Sequence, residues 1–293
     1  MIPKIEKLAI YYGYPSHVNG SEGNIEKAIK VFSAYDSIIF GANLELEKHE
    51  DHSKTKEIIH SLSNTIHMFG YINIGLTNGK LDLKEIQKRI QLWKNMGIYG
   101  IFLDAAGYDY GVTRERQNKI IRMAHDKELS VFINAFNPDD VFSEDPTPIL
   151  LSNKDYYLHE SFQIQDGKYV DPEFWILKST KALEKSKPFG TKQMVTTVSS
   201  QKTDFKQDQL AYAWWSTLLL GFHGFSWGEQ LFSSDGHLPF RERPSEKIGE
   251  KFLGKVKSQG HLYTRETDQG IILVDGDNHI GSFTPHSNSK ASP

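Results

Sequence analysis

Short apolar runs alternate with longer amphipathic stretches along most of this chain, and that alternation limits it to very few folds. The first run is LAIYYGYP at 8–15, followed by GNIEKAIKVFSAY at 23–35, where Ile25, Ala28, Ile29 and Phe32 share one helical face. SIIFG at 37–41 precedes SKTKEIIHSLS at 53–63. HMFGYINIG at 67–75 precedes DLKEIQKRIQLWKNMG at 82–97. That helix is well punctuated, with Asp82 as cap and Gly97 as stop. A fourth strand at 99–104 leads to TRERQNKIIRMAHDK at 113–127, and LSVFINAF at 129–136 forms a fifth. KDYYLHES at 154–161 is the sixth, with DPEFWILKSTKALEKS after it and Pro172 suited to a first helical turn. KQMVTTVSS at 192–200, the helix KQDQLAYAWWSTLLLG and GFHGFSWGE at 221–229 complete the series.

Eight strand units, each but the last followed by a helical or irregular segment, predict an α/β fold of the (β/α)8 barrel type over residues 1–256. An open doubly wound sheet is the alternative, but GYPSHVNG after the first strand lacks the glycine fingerprint that fold carries. HLYTRE, GIILVDG and HIGSFT, divided by DQG and GDN, predict a small antiparallel hairpin or meander at 257–286 as an appendage. Residues 287–293 read as a frayed tail.

Composition narrows the function classes. At 293 residues, 38% hydrophobic and 24% charged, with a net charge of −3 and no basic or acidic run, the chain offers nothing that calls for nucleic acid or an anionic membrane as partner. No apolar run approaches the roughly 20 residues of a membrane helix. The first residues, MIPKIEKLAIYYG, carry no signal-peptide apolar region. Compartment stays open between a cytoplasmic protein and an exported one without its leader. With no cysteine there is no disulfide, thiol nucleophile or thiolate metal site. His49 and His52 match no metal-binding spacing, and no cofactor is expected. Oligomeric state is not legible.

Barrel active sites form at the C-terminal ends of the strands, so the search becomes a census of strand-end polar residues. They are Tyr12, Tyr14 and His17; Asn43, Glu45 and Glu47; Tyr71 and Asn73; Asp104; Asn134 and Asn137; His159 and Glu160; Thr197 and Ser199; Trp227 and Glu229. IYGIFLDAAGYDYG, residues 98–111, ends an apolar strand on Asp104, and a buried carboxylate is costly unless paired or used. Strand alternation puts Asp104 on one face with Phe102 and Gly100, and Glu160 with Leu158 and Tyr156. Two carboxylates across a barrel mouth are the equipment of glycoside hydrolysis. Each also has a plainer reading: Asp104 as a turn cap, Glu160 as half of a structural ion pair. Glu229 stands in reserve as an acid, whereas Glu45 and Glu47 lie in the charged segment ANLELEKHEDHSK, expected to be solvated.

Aromatic residues make up 12% of the chain, and Tyr12, Tyr14, Tyr71, Tyr108, Tyr110 and Trp227 fall at or just past strand ends. Some belong to the core; the rest offer flat apolar faces for sugar rings. Trp175, Trp214 and Trp215 are mid-helix and expected in packing.

GYINIG at 70–75, GIYGIFLDAAG at 97–107, NAFNP at 134–138 and YYLHES at 156–161 together resemble the spherulin-type barrel exopolysaccharide hydrolases, glycoside hydrolase families 114 and 135 and their relatives. The match follows strand order over most of the barrel, in short pieces. The resemblance implies cleavage within a polysaccharide, with galactosamine-containing exopolysaccharide as the best-known substrate class, and Asp104 and Glu160 as its carboxylates. The chain departs from it at Ala105, where many relatives carry a second acid; Asp109 follows shortly after. The expected roles are Glu160 as general acid and Asp104 as its partner. Tyr12, Tyr71, Asn73, Tyr108, Asn137, Trp227 and Glu229 are the expected substrate-binding residues. A barrel that binds glycan without cutting it is the alternative. An enzyme of phosphorylated metabolites is weaker, since SSQKTD and GEQLFSSDG lack the paired glycines of a phosphate cradle.

Overall fold

The computed structural model describes residues 1–77, 80–143, 147–199, 205–245 and 247–286. In chain order these form β1 (Glu6–Tyr11), α1 (Ile25–Phe32), β2 (Ser37–Phe40), α2 (His52–Leu62), β3 (His67–Asn73), α3 (Leu83–Asn95), β4 (Gly100–Asp104) and α4 (Arg114–His125). There follow β5 (Ser130–Asn134), a short α5 (Asp139–Phe142), β6 (Tyr156–His159) and a two-stranded ribbon of β7 (Ile164–Gln165) and β8 (Lys168–Tyr169). The barrel ends with α6 (Pro172–Ser186), β9 (Lys192–Thr196), α7 (Gln207–Leu220) and β10 (Gly224–Ser226). β1 to β6, then β9 and β10, pair in parallel in that order. β10 returns to β1 through Glu6 opposite Gly224, which closes the cylinder.

Local signals set the helices. Asn24, Asp82, Thr113 and Asp171 each accept a backbone N–H in the first turn of the helix they precede, and Gly97 turns left-handed at φ +87° after α3. Alternation along the strands sorts the rest. Leu8, Ile10, Ile39, Phe69, Phe102, Phe132, Tyr156, Leu158 and Met194 fill the barrel interior. Ile38, Met68, Ile101, Leu103, Val131 and Ile133 face outward onto Ile86, Ile90 and Trp93 of the helical shell and their neighbours. Edge-to-face contacts at 5.0–5.5 Å join Phe69, Phe102, Phe132 and Tyr156, so the barrel centre is a solid aromatic plug beneath the mouth.

Sequence and structure part at several strand ends, where the apolar runs at 8–15, 129–136, 192–200 and 221–229 extend past β1, β5, β9 and β10, and at short elements. The sixth strand stops at His159, short of Ser161, because Ser161 and Gln163 adopt left-handed backbone at φ 59° and 65°. The β7–β8 ribbon and α5 carry too few residues for a periodic signal. The expected tail at 287–293 and most of the SSQKTD loop lie outside the described residues.

Beyond the barrel, β11 (Lys257–Gln259), β12 (Leu262–Glu266), β13 (Gly270–Asp275) and β14 (Ile280–Pro285) form an antiparallel meander. Ile272 and Val274 point into a core with Trp215, Leu218 and Phe222 at α7. That second contact explains why α7 is apolar nearly all round: one side meets the barrel and the other the meander.

One close approach positions the mouth. The Trp93 indole lies so near Gly70 on β3 that a Cβ there would meet Trp93 Cδ2 at 2.2 Å, while Trp93 Nε1 donates to the Tyr71 carbonyl at 3.3 Å. Gly70→Ala is therefore expected to cost about 1–3 kcal/mol through overpacking. In a thermal melt this appears as a fall of several degrees, whereas the same change at open Gly254 should cost far less.

Candidate active site

Asp104 closes β4 on the inward face, directly above Phe102, and Asn73 on β3 stands beside it in register. Tyr71, two residues earlier on the same face of β3, reaches up so that its hydroxyl donates to Asp104 Oδ2 at 2.7 Å. Asn134 ends β5, only 8% exposed, and its Nδ2 donates to Asp104 Oδ1 at 2.9 Å and to Glu160 Oε2 at 2.8 Å. Glu160 follows β6 directly. Thus three adjacent strands hold two carboxylates on one side-chain amide.

The backbone bends sharply after each acid. Ala105 takes φ 51° after Asp104, and Ser161 takes φ 59° after Glu160. A non-glycine residue there costs roughly 1–2 kcal/mol. Neighbouring bonds hold the first bend, since Ile74 N donates to Asp104 O and Ala106 N to Asn134 O, both at 3.0 Å. Ala105 itself is buried close to Gly75, where the ideal Cβ would stand 3.1 Å from the alanine methyl.

Burial raises the Glu160 pKa, and the negative charge of Asp104 adds to it; the Asn134 hydrogen bond and the Lys178 charge act against that rise. The surrounding phenols stay protonated. Burial lifts Tyr71 and Tyr12 well above the ordinary phenol value, and the charges of Asp104 and Glu160 add to the effect. Tyr110 shifts upward for the same reasons, Asp109 included. Tyr12 meets Tyr71 edge-on at 5.5 Å, and Phe232 lies 5.6 Å from Tyr12 on its other side. Phe232 is carried there by Leu231, Phe232 and Ser233, three successive residues at positive φ. Among the described residues, no group of three or more His, Asp or Glu side chains is arranged to hold a metal ion.

The structure brings Asp104, Glu160, Tyr71 and Tyr12 together, with Asn73 beside the Tyr71 hydroxyl and accepting from Gly75 N at 2.9 Å. The other expected residues have different partners. Tyr108 is exposed and its backbone N–H donates to Asp140; Asn137 is exposed and its amide also donates to Asp140, at 3.3 Å. Trp227 packs edge-on against Phe205, and Glu229 is ion-paired with Arg241 Nε at 2.7 Å. Asp109 sits at an exposed turn against Gly107. Glu45 corrects an expectation: it is 1% exposed, bound to Arg89 at 2.5 Å, because Arg89 of α3 reaches over to pin the loop after β2. Glu47 beside it is exposed, as the charged segment suggested.

Two contributors escaped selection from sequence. Asn134 was in the strand-end census, but an amide gives no chemical reason to prefer it. Lys178 lies on a stripe of α6, Phe174, Leu177, Lys178 and Lys181, whose helical spacing was the available signal.

No family model matches the chain, and no curated protein matches it in sequence. Among solved structures it is similar to the glycoside hydrolase domain of PelA from Pseudomonas aeruginosa, at 14% identity and a TM-score of 0.47, covering 75% of this chain and 94% of that one. It is similar to 3-dehydroquinate dehydratase from Geobacillus kaustophilus at 14% identity and 0.48, over 78% and 84% of the two chains. Xylanase 10B from Thermotoga maritima follows at 11% and 0.47, over 76% and 82%. Glycosidases and an enzyme of another kind appear side by side, so the chemistry has to be argued from the site.

Two titrations probe the geometry. Removing the amide donor in Asn134→Ala should move the Glu160 carboxyl titration still higher, read by 13C NMR of side-chain carboxyls. Because folding raises this pKa, ionising Glu160 destabilises the fold as pH rises past the unfolded value of about 4.3. Glu160→Gln should accordingly raise the melting temperature near pH 7 and leave it nearly unchanged near pH 4, where the acid is protonated in both states.

Proposed function

We propose that the chain is a glycoside hydrolase that cleaves within a polysaccharide, with Glu160 as general acid and Asp104 as nucleophile. The observation that carries this reading is the Asn134 bridge. Its two hydrogen bonds, 2.9 and 2.8 Å, end on one nitrogen, so the two oxygens it bridges, Asp104 Oδ1 and Glu160 Oε2, approach within about 6 Å of each other. Inverting glycosidases separate their acids by roughly 6.5–9.5 Å to admit a water, while retaining ones keep them near 5–5.5 Å. Two acids sharing one amide leave little room for a water between the bridged oxygens, which favours a double displacement.

The roles follow from surroundings. A carboxyl whose pKa is raised by burial holds its proton for a leaving group. Asp104, oriented by Tyr71 and Asn134, presents a fixed oxygen to the anomeric carbon. In the first step Asp104 forms a bond to that carbon, the glycosidic C–O bond breaks, and the Glu160 proton passes to the departing oxygen. In the second, Glu160 takes a proton from water while the water oxygen replaces Asp104 and restores the free carboxylate. Tyr12 and Tyr71 supply protonated hydroxyls and ring faces for the sugar. For the polymer we propose an exopolysaccharide, with galactosamine-containing chains as the first class to try.

Reducing-end release from a panel of bacterial exopolysaccharides, amino-sugar polymers included, tests the reading. Asp104→Asn and Glu160→Gln should each lose about 10³-fold or more in rate with folding intact. The wild-type pH profile should keep its alkaline limb above the range of an ordinary glutamate. Polymer binding without new reducing ends in wild type would replace the hydrolase with a glycan-binding barrel.

A further inference from the structure

α6 has two faces. Trp175, Ser179 and Ala182 are buried against the fold, while Phe174 and Leu177 leave 47% and 62% of their surface open. Phe136, two residues past Asn134 on the loop from β5, is also 47% exposed, and its ring lies 6.3 Å from Phe174 at an interplanar angle of 24°. These side chains line a groove of about 560 Å³ that also takes in Lys178. Exposed rings side by side next to a candidate active site are the usual form of a sugar platform.

The cation in this groove has no matching anion. Lys178 Nζ lies 3.7 Å from the Phe136 ring centroid, and it makes no hydrogen bond or ion pair with any described residue. Lys181, one turn on, is tied to Asp139. Lys178 acts electrostatically on Glu160, and Phe136 follows Asn134 by two residues, which ties the groove to the carboxylate pair. A half-buried ammonium with ring faces around it and no hydrogen-bonded anion gains most from an anionic ligand that brings its own oxygens.

We propose that this groove is a subsite for a uronic acid residue of the polysaccharide, its ring on Phe174 and its carboxylate paired with Lys178, whose ammonium lies over Phe136. The proposal rests on the glycosidase reading of the neighbouring pair and adds a substrate class to it. A free amino sugar would be repelled here. An N-acylated galactosamine at the cleavage point with a uronate beside it satisfies both readings. Burial brings the Lys178 pKa down to about 8, so the pairing should weaken as pH rises past that value.

The test uses the full chain carrying Asp104→Asn, so that ligand is held uncut, with calorimetry on hexasaccharides of non-sulfated chondroitin and of polygalacturonate. Each is paired with its carboxyl-reduced counterpart. At least one uronate form should bind about tenfold or more tighter than its reduced counterpart, and Lys178→Met should bring that ratio to about one. Lys178→Arg should keep the preference, and Phe174→Ala should weaken both forms. The proposal is overturned by no binding of either uronate, by equal or tighter binding of the reduced forms, or by a preference that survives Lys178→Met. Uronate binding together with no reducing ends released by wild type from any polymer of the panel would sink the hydrolase reading and leave the subsite standing.

Discussion

Everything at the barrel mouth depends on one side-chain amide. Asn134 Nδ2 has two protons and gives one to each carboxylate, so Asp104 and Glu160 are held at a fixed separation in spite of their repulsion. An acid at this position would add a third negative charge, and an aliphatic residue would leave both oxygens facing each other unbridged. The amide also opposes the rise of the Glu160 pKa, which burial and the nearby Asp104 would otherwise push further. The same group thus fixes the geometry and tempers a protonation that burial governs.

The fold supplies the stiffness that this bridge needs. Asp104, Asn134 and Glu160 come from β4, β5 and the end of β6, three neighbouring strands whose register is fixed by backbone pairing and by the aromatic plug of Phe69, Phe102, Phe132 and Tyr156 below. Left-handed backbone at Ala105 and Ser161 turns the chain away immediately above the acids. That strain is offset by the barrel packing beneath.

Much of this was legible in the residues. The period switches placed the eight barrel strands, and Asp82, Gly97 and Pro172 marked helix ends where the structure has them. The strand-end rule and the in–out alternation led to Asp104 and Glu160, because a carboxylate ending an apolar strand is conspicuous. What sequence could not rank was contact. Trp227 and Glu229 stand at a strand end as Tyr71 does, yet they pack on Phe205 and pair with Arg241, partners distant in sequence. Glu45 looked solvated among charges but is buried by Arg89, which comes from another helix. Asn134 has no chemistry of its own to advertise, and its importance appears only when two acids meet on it.

The close approach that Asn134 imposes on the two acids has a stereochemical consequence under the proposed double displacement. Proton NMR of the first product, recorded before mutarotation, should show the new reducing end with the anomeric configuration of the bond that was cut. Inversion at that centre would mean that a water, and not Asp104, meets the sugar, and would contradict the proposed double displacement.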